Sequence, residues 1–161
     1  MKTMQQPQSG AARALQQVQG LWGWLDRPLH ALQSPLALLG RLYVAQAFFL
    51  SGLTKLRDWE TTLALFGDEY HVPLLYPELA AYLGTAGELV LPVLLVLGLG
   101  GRVAALGLSV VNVVAVLSLQ EIAPAAMQLH ISWGIVLAAL AVFGSGQWTL
   151  DRFLPRLSQP R

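Results

Sequence analysis

Residues 79–98, LAAYLGTAGELVLPVLLVLG, decide the fold, because the run is long enough to cross a bilayer and carries one carboxylate, Glu88, near its middle. A hydrocarbon core takes roughly 20 apolar residues at about 1.5 Å of rise each. An acidic side chain at that depth costs about 2.5–3.5 kcal/mol on insertion scales. Glu88 therefore calls for a partner or a function, and the rest of the chain has to supply it.

Hydrophobic residues make up 55% of the 161 residues and charged residues 12%, about half the charged share of soluble domains. That composition fits a polytopic membrane protein better than a soluble enzyme on one anchor. The lipid bilayer is the first partner it implies, and no nucleic acid is expected. With no cysteine in the chain, a disulfide framework, thiol–disulfide exchange, Cys-ligated zinc and iron–sulfur centres supplied by this chain alone are excluded. Redox chemistry would need a cofactor or a partner; quinone, haem and copper are the candidates.

Outward from 79–98, three more apolar runs predict spans at 36–54, 103–119 and 127–143. Ser34 and Pro35 read as the N-cap and first turn of the first span. Gly98 to Arg102 reads as a tight reversal, Pro124 as a break before the fourth span, and Pro92 as a kink after Glu88. Between the first two spans, Trp59, Thr62, Leu63, Phe66 and Tyr70 fall at helical spacing and predict a short interfacial helix. Residues 1–14 read as a disordered tail and 15–33 as an amphipathic surface helix with Arg27, Trp22 and Trp24 on it and Arg13 just before it. A helix docked on a partner is the alternative for 15–33. Residues 34–154 form the membrane domain, with Thr149 and Asp151 opening a last short helix, and 155–161 form a tail. The expected fold is all-α: a polytopic four-helix membrane bundle with interfacial amphipathic helices.

If the spans are laid antiparallel, Gln46, Glu88 and Asn112 fall at similar depth and predict a polar midplane layer. Each span offers a stripe of small residues that lets helices approach: Ala45 and Gly52 on one face with Arg41 and Lys55, Ala81 and Gly84 leading to Glu88, Ala105 and Ser109 leading to Asn112, and Gly134, Ala138 and Ala141 with His130. Two cations on the first span are candidates for Glu88. Depth favours Arg41, about 7 Å from the midplane, over Lys55, about 15 Å away. The set has three readings: a lock that specifies helix assembly, a site for a ligand, or a proton pathway. His130 with Met127 one turn before it, and His71 at the same face, offer imidazole and thioether donors suited to copper, and imidazole suits haem iron. A hydrogen-bonded core histidine is the plainer alternative.

The motifs Arg41-Leu42-Tyr43, Phe48 to Leu56 (FFLSGLTKL), Val72-Pro73, Gly87-Glu88-Leu89, Gly101-Arg102 and Gly144 to Asp151 (GSGQWTLD) resemble, in order and spacing, the DoxX-like four-span bacterial membrane proteins. Within that family Ser51 to Lys55, Asp58-Trp59, Tyr70 to Leu75 and Leu83 to Pro92 are most similar to the HvfX branch. The resemblance implies a bacterial inner-membrane protein working beside a small copper-binding, ribosomally made modified peptide and its iron-dependent modifying enzyme. It gives weight to Lys55, Glu88 and Arg41, and assigns no catalytic residue. The leading expectation is an accessory component of a redox or copper-stress system that supports maturation, export or docking of such a peptide. A quinone- or haem-linked oxidoreductase subunit and a small proton-coupled transporter are the alternatives.

Lys2, Arg13, Arg27, Arg41, Arg102, Arg152, Arg156 and Arg161 collect on one side of the expected spans, and only Lys55 and Arg57 on the other. The positive-inside rule then puts both termini in the cytoplasm. A reporter fused to the C-terminus is expected to be active only when it works in the cytoplasm; activity confined to the outside would reverse this topology.

Overall fold

The computed structural model describes residues 10–153, with side chains from Leu29 onward. Residues 1–9 of the expected N-terminal tail and the whole tail 155–161 lie outside the described residues. So do the side chains of Arg13, Trp22, Trp24 and Arg27, on which the amphipathic reading of 15–33 rests. The chain falls into two compact units, Met1–Gln33 and Ser34–Arg161. In the first, the described backbone is helical from Gly10 onward. The second holds the bundle.

The elements are α1 (Gly10–Arg57), α2 (Trp59–Asp68), α3 (Pro77–Leu97), α4 (Gly101–Ser118) and α5 (Pro124–Phe143), followed by a 3-10 turn at Leu150–Arg152. No strand occurs among the described residues. Four stretches are long and apolar enough to span a membrane: Leu29–Arg57, Pro77–Leu97, Gly101–Ser118 and Pro124–Phe143. The all-α membrane bundle predicted from sequence is the observed fold. Two helix starts differ from expectation. Pro124 is the first residue of α5, where its missing N–H costs nothing. Ser34 and Pro35 begin no helix, since α1 runs through both. The Ser34 hydroxyl instead accepts the Gln147 backbone N–H at 3.1 Å.

Each span is apolar nearly all round, as a helix solvated by lipid has to be. The inward faces meet in one cluster of Val44 and Phe48 from α1, Leu95 from α3, Ala104, Ala105 and Leu108 from α4, and Leu137 and Leu140 from α5. The small residues on α1, α3 and α4 act as expected: Ala45, Gly52, Ala81 and Ala105 are buried. On α5 the stripe holds only in part: Ala141 packs on the core, Ala138 is exposed, and Leu137 and Leu140 are the buried residues.

The interfacial helix α2 begins where the sequence places it. The Asp58 carboxylate accepts the Thr61 backbone N–H at 3.0 Å and the Thr61 hydroxyl at 2.7 Å, an N-cap that satisfies an orphan donor. The Thr61 hydroxyl bond, then its backbone bond, holds this exposed carboxyl below the usual range. Phe66 buries α2 against Ala80 and Ala81 at the start of α3. Beyond α2, the His71 backbone N–H donates to the Ser118 carbonyl at 2.8 Å, tying the connecting loop to the end of α4.

At the opposite end of the bundle, α3 closes in a Schellman turn. The Leu99 N–H reaches the Leu94 carbonyl at 3.0 Å and the Gly98 N–H the Leu95 carbonyl at 3.2 Å, with Gly98 left-handed at φ 69°. Arg41, fully buried, donates from Nη1 to the Val96 carbonyl at 3.2 Å and the Leu95 carbonyl at 3.5 Å, and from Nη2 to the Trp148 carbonyl at 2.7 Å. A cation at the C-terminal end of a helix is also favoured by the helix dipole. Asp151, expected to open a last amphipathic helix, instead accepts the Gly100 N–H through both oxygens at 2.9 and 3.1 Å, at the start of α4. The segment beyond α5 is therefore a strap across the helix ends. Gly98 has no room for a side chain: a methyl there would lie 2.6 Å from Thr149 and 2.9 Å from Arg41 Nη1. Gly98→Ala is expected to lower stability by at least about 1–2 kcal/mol, the cost of a left-handed residue with a Cβ, read as an earlier thermal transition of the detergent-purified protein.

Candidate functional site

The cation that meets Glu88 is Lys55. Its Nζ lies 2.5 Å from Glu88 Oε2 and donates to Ser51 Oγ at 2.9 Å. The lysine side chain is 18% exposed and that of Glu88 10%, so the pair is largely withdrawn from solvent. This corrects the preference for Arg41. Depth counted from span ends assumed that span centres coincide, whereas close approach sets the actual register. Gly52 sits against α3, where a methyl would fall 3.1 Å from Glu88 Cβ and 2.8 Å from Leu89 Cγ. Lys55, one turn on, then reaches the carboxylate. Arg41 lies about 16 Å of helix away from Gly52, beside the far end of α3.

The expected midplane layer of Gln46, Glu88 and Asn112 is not formed. Gln46 is exposed. On a helix of 3.6 residues per turn it stands about 140° from Arg41, opposite the face that Arg41, Val44, Ala45 and Phe48 bury. Asn112 is buried but turns to α5: its Nδ2 donates to the His130 carbonyl at 2.9 Å, and its Oδ1 lies 2.8 Å from His130 Nδ1.

Around the ion pair lies a cavity of about 370 Å³ enclosed by α1, α2 with its following loop, α3, α4 and α5, all within Ser34–Arg161. Ser51, Lys55, Tyr70, Glu88, Ser118 and His130 are the polar residues prominent in its lining; the walls are otherwise largely apolar, with Phe48, Phe66, Val111 and Trp133 among them. Trp133 meets Phe48 and His130 edge-on, with ring centroids 5.5 and 5.0 Å apart. Leu83 and Val110 line the cavity and are also more than half exposed on the outer faces of α3 and α4. The cavity is therefore bordered on α3 and α4 by residues that also lie at the bundle surface. Tyr70 packs edge-on to Phe66; burial first, then the Glu69 and Glu88 carboxylates, push its phenol above the ordinary value. It stays protonated, a donor, at neutral pH. Proline 92 adds one more feature. Having no N–H, it leaves the Glu88 carbonyl without the bond an ordinary residue four places on would make.

The expected metal donors are not gathered. His130 lines the cavity, and Met127 and His71 do not. His71 is exposed and bonds within its own turn, Nδ1 to the Glu69 carbonyl at 3.2 Å. Among the described residues no group of three or more His, Cys, Asp or Glu is arranged to hold a metal ion. Ser51 is a cavity residue that the reading of polar depth passed over. Its spacing of four from Lys55 placed both on one helix face, which was the available signal.

The model of the DoxX family matches residues 36–121, more than half of the chain, and the chain belongs to that family. No curated protein and no solved structure matches it. The matched stretch contains Ser51, Lys55, Tyr70, Glu88 and Asn112.

Breaking one partner of a withdrawn ion pair leaves a charge without compensation. Lys55→Met and Glu88→Gln are each expected to destabilise the bundle. The double variant should recover part of the loss, with a coupling of about 1.5–3 kcal/mol in a double-mutant cycle. Additive effects would show that the pair contributes nothing as a pair.

Proposed function

We propose that this DoxX-family chain binds a lipid-soluble molecule with a hydrogen-bonding head, of which a quinone is the type, and serves as the membrane subunit of a redox system. The observation that carries the reading is the apolar cavity, bordered by residues at the bundle surface, with the Lys55–Glu88 pair in its wall. Its volume, about 370 Å³, falls in the range of small-molecule sites, which pair apolar walls with a few placed polar groups. Lysine has three N–H donors; Ser51 and Glu88 take two. The third, with the protonated Tyr70 hydroxyl, suits the carbonyl oxygens of a quinone ring. Stacking against Phe48, Phe66 and Trp133 suits its plane. Haem and copper find a single imidazole in the cavity, that of His130.

A second reading follows from the likeness to the HvfX branch: a bacterial inner-membrane partner, with both termini cytoplasmic, for a copper-binding modified peptide and its iron enzyme. It draws support from where the motifs of that likeness fall, since Ser51, Lys55, Tyr70, Val72 and Glu88 all line the cavity. Co-purification of a Cys-rich peptide or an iron enzyme with the gently solubilised chain would favour it.

In lipid nanodiscs, a short-chain ubiquinone analogue is expected to bind saturably, one per chain. Lys55→Ala should weaken it about tenfold or more, the effect of losing a charge-assisted bond. Ala115→Phe, which fills the cavity, should abolish it. Unsaturable partitioning, or equal affinity in all three proteins, would overturn the reading.

A further inference from the structure

His130 is tied to Asn112 by two contacts that together fix the state of its ring. The Asn112 amide donates to the His130 backbone carbonyl at 2.9 Å, and a carbonyl can only accept. The nitrogen of the amide is therefore the atom facing that carbonyl, and the atom 2.8 Å from His130 Nδ1 is the amide oxygen. An amide oxygen is an acceptor only, so Nδ1 must carry the hydrogen. In a neutral imidazole the other nitrogen is then unprotonated. Among the described residues Nε2 has no hydrogen-bond partner, and it is not one of the sealed-off unpartnered atoms there, which are Arg41 Nε, Thr85 Oγ1 and Ser145 Oγ. It belongs to a ring in the cavity wall.

The arrangement is held from two further sides. Trp133 stands edge-on to the imidazole, with an interplanar angle of 79°. Gly134 leaves room for the amide: a methyl there would lie 3.4 Å from Asn112 Nδ2.

We propose that Asn112 is a positioning residue that locks His130 as the Nδ1–H tautomer, so that Nε2 is a neutral acceptor in the cavity and the site prefers ligands whose head carries a hydroxyl. This rests on the ligand-binding reading above and names the head group it takes. Lys55 and Tyr70 supply donors; Glu88 supplies the charged acceptor, engaged through Oε2 with Lys55. His130 supplies the neutral acceptor. A phenol or hydroquinone donates its O–H to Nε2 while its oxygen accepts from Lys55 or Tyr70. An aryl ether of the same shape leaves Nε2 unpaired, and sites built around a buried hydrogen bond reject ligands that cannot make it.

Two measurements test this on the full chain in nanodiscs. Ring-nitrogen NMR of the protein labelled at histidine, with the His130 signals identified by their loss in His130→Gln, is expected to show protonated Nδ1 and unprotonated Nε2. A hydrogen on Nε2 would overturn the proposal. An alkyl hydroquinone is expected to bind about tenfold tighter than its dimethyl ether. The preference should vanish in Asn112→Leu, which cannot accept from Nδ1, and persist in Asn112→Asp, which can. Equal binding of the two probes to the unaltered protein, or a preference kept in Asn112→Leu, overturns the selectivity while leaving the binding reading intact. No saturable binding of either probe, with the tautomer as expected, overturns the selectivity, and the binding reading falls with it when the ubiquinone analogue also fails to bind saturably.

Discussion

Inside hydrocarbon, a polar group has no solvent to turn to, so each must find its partner within the protein. Two cations on α1 bring that constraint to a point. Arg41 and Lys55 are about four helical turns apart and lie on nearly the same face, and each is answered by a different kind of group. Arg41 meets carbonyl oxygens at the end of α3 and at Trp148. Lys55 meets a carboxylate in the wall of a cavity. One cation closes the bundle and the other equips it.

The spans were legible because lipid leaves a plain signature: long apolar runs broken by glycine and proline. So was α2, whose start needs only an aspartate at the right place. Glu88 stood out by cost alone, and both candidate cations were visible. What the sequence did not carry was register. Which residue of α1 faces Glu88 depends on how closely two helices approach at Gly52, a tertiary fact that counting from span ends does not contain. Gln46 is a different case. Helical periodicity sets it opposite the buried face, so its side chain points away from Glu88 whatever its depth. Asn112 and His130 were both noticed, but their pairing joins two spans whose relative height only the fold reveals.

The resemblance motifs sort by the same division. Residues of GSGQWTLD strap the helix ends around Arg41: Gln147 reaches Ser34, Trp148 accepts from Arg41, and Asp151 holds the start of α4. Lys55, Tyr70 and Glu88 line the cavity at the other end. A motif list read along the chain mixes the two, although their places are separate: one group closes the helix ends, the other lines the cavity.

Pro92 lies between these ends, buried in the C-terminal part of α3 and one turn beyond Glu88. With no N–H to offer, it removes the rung that would join the Glu88 peptide to the following turn. Beyond it, α3 is gripped by arginine; before it, α3 borders a hollow. The break in the backbone ladder of α3 thus falls at the residue that faces the cavity.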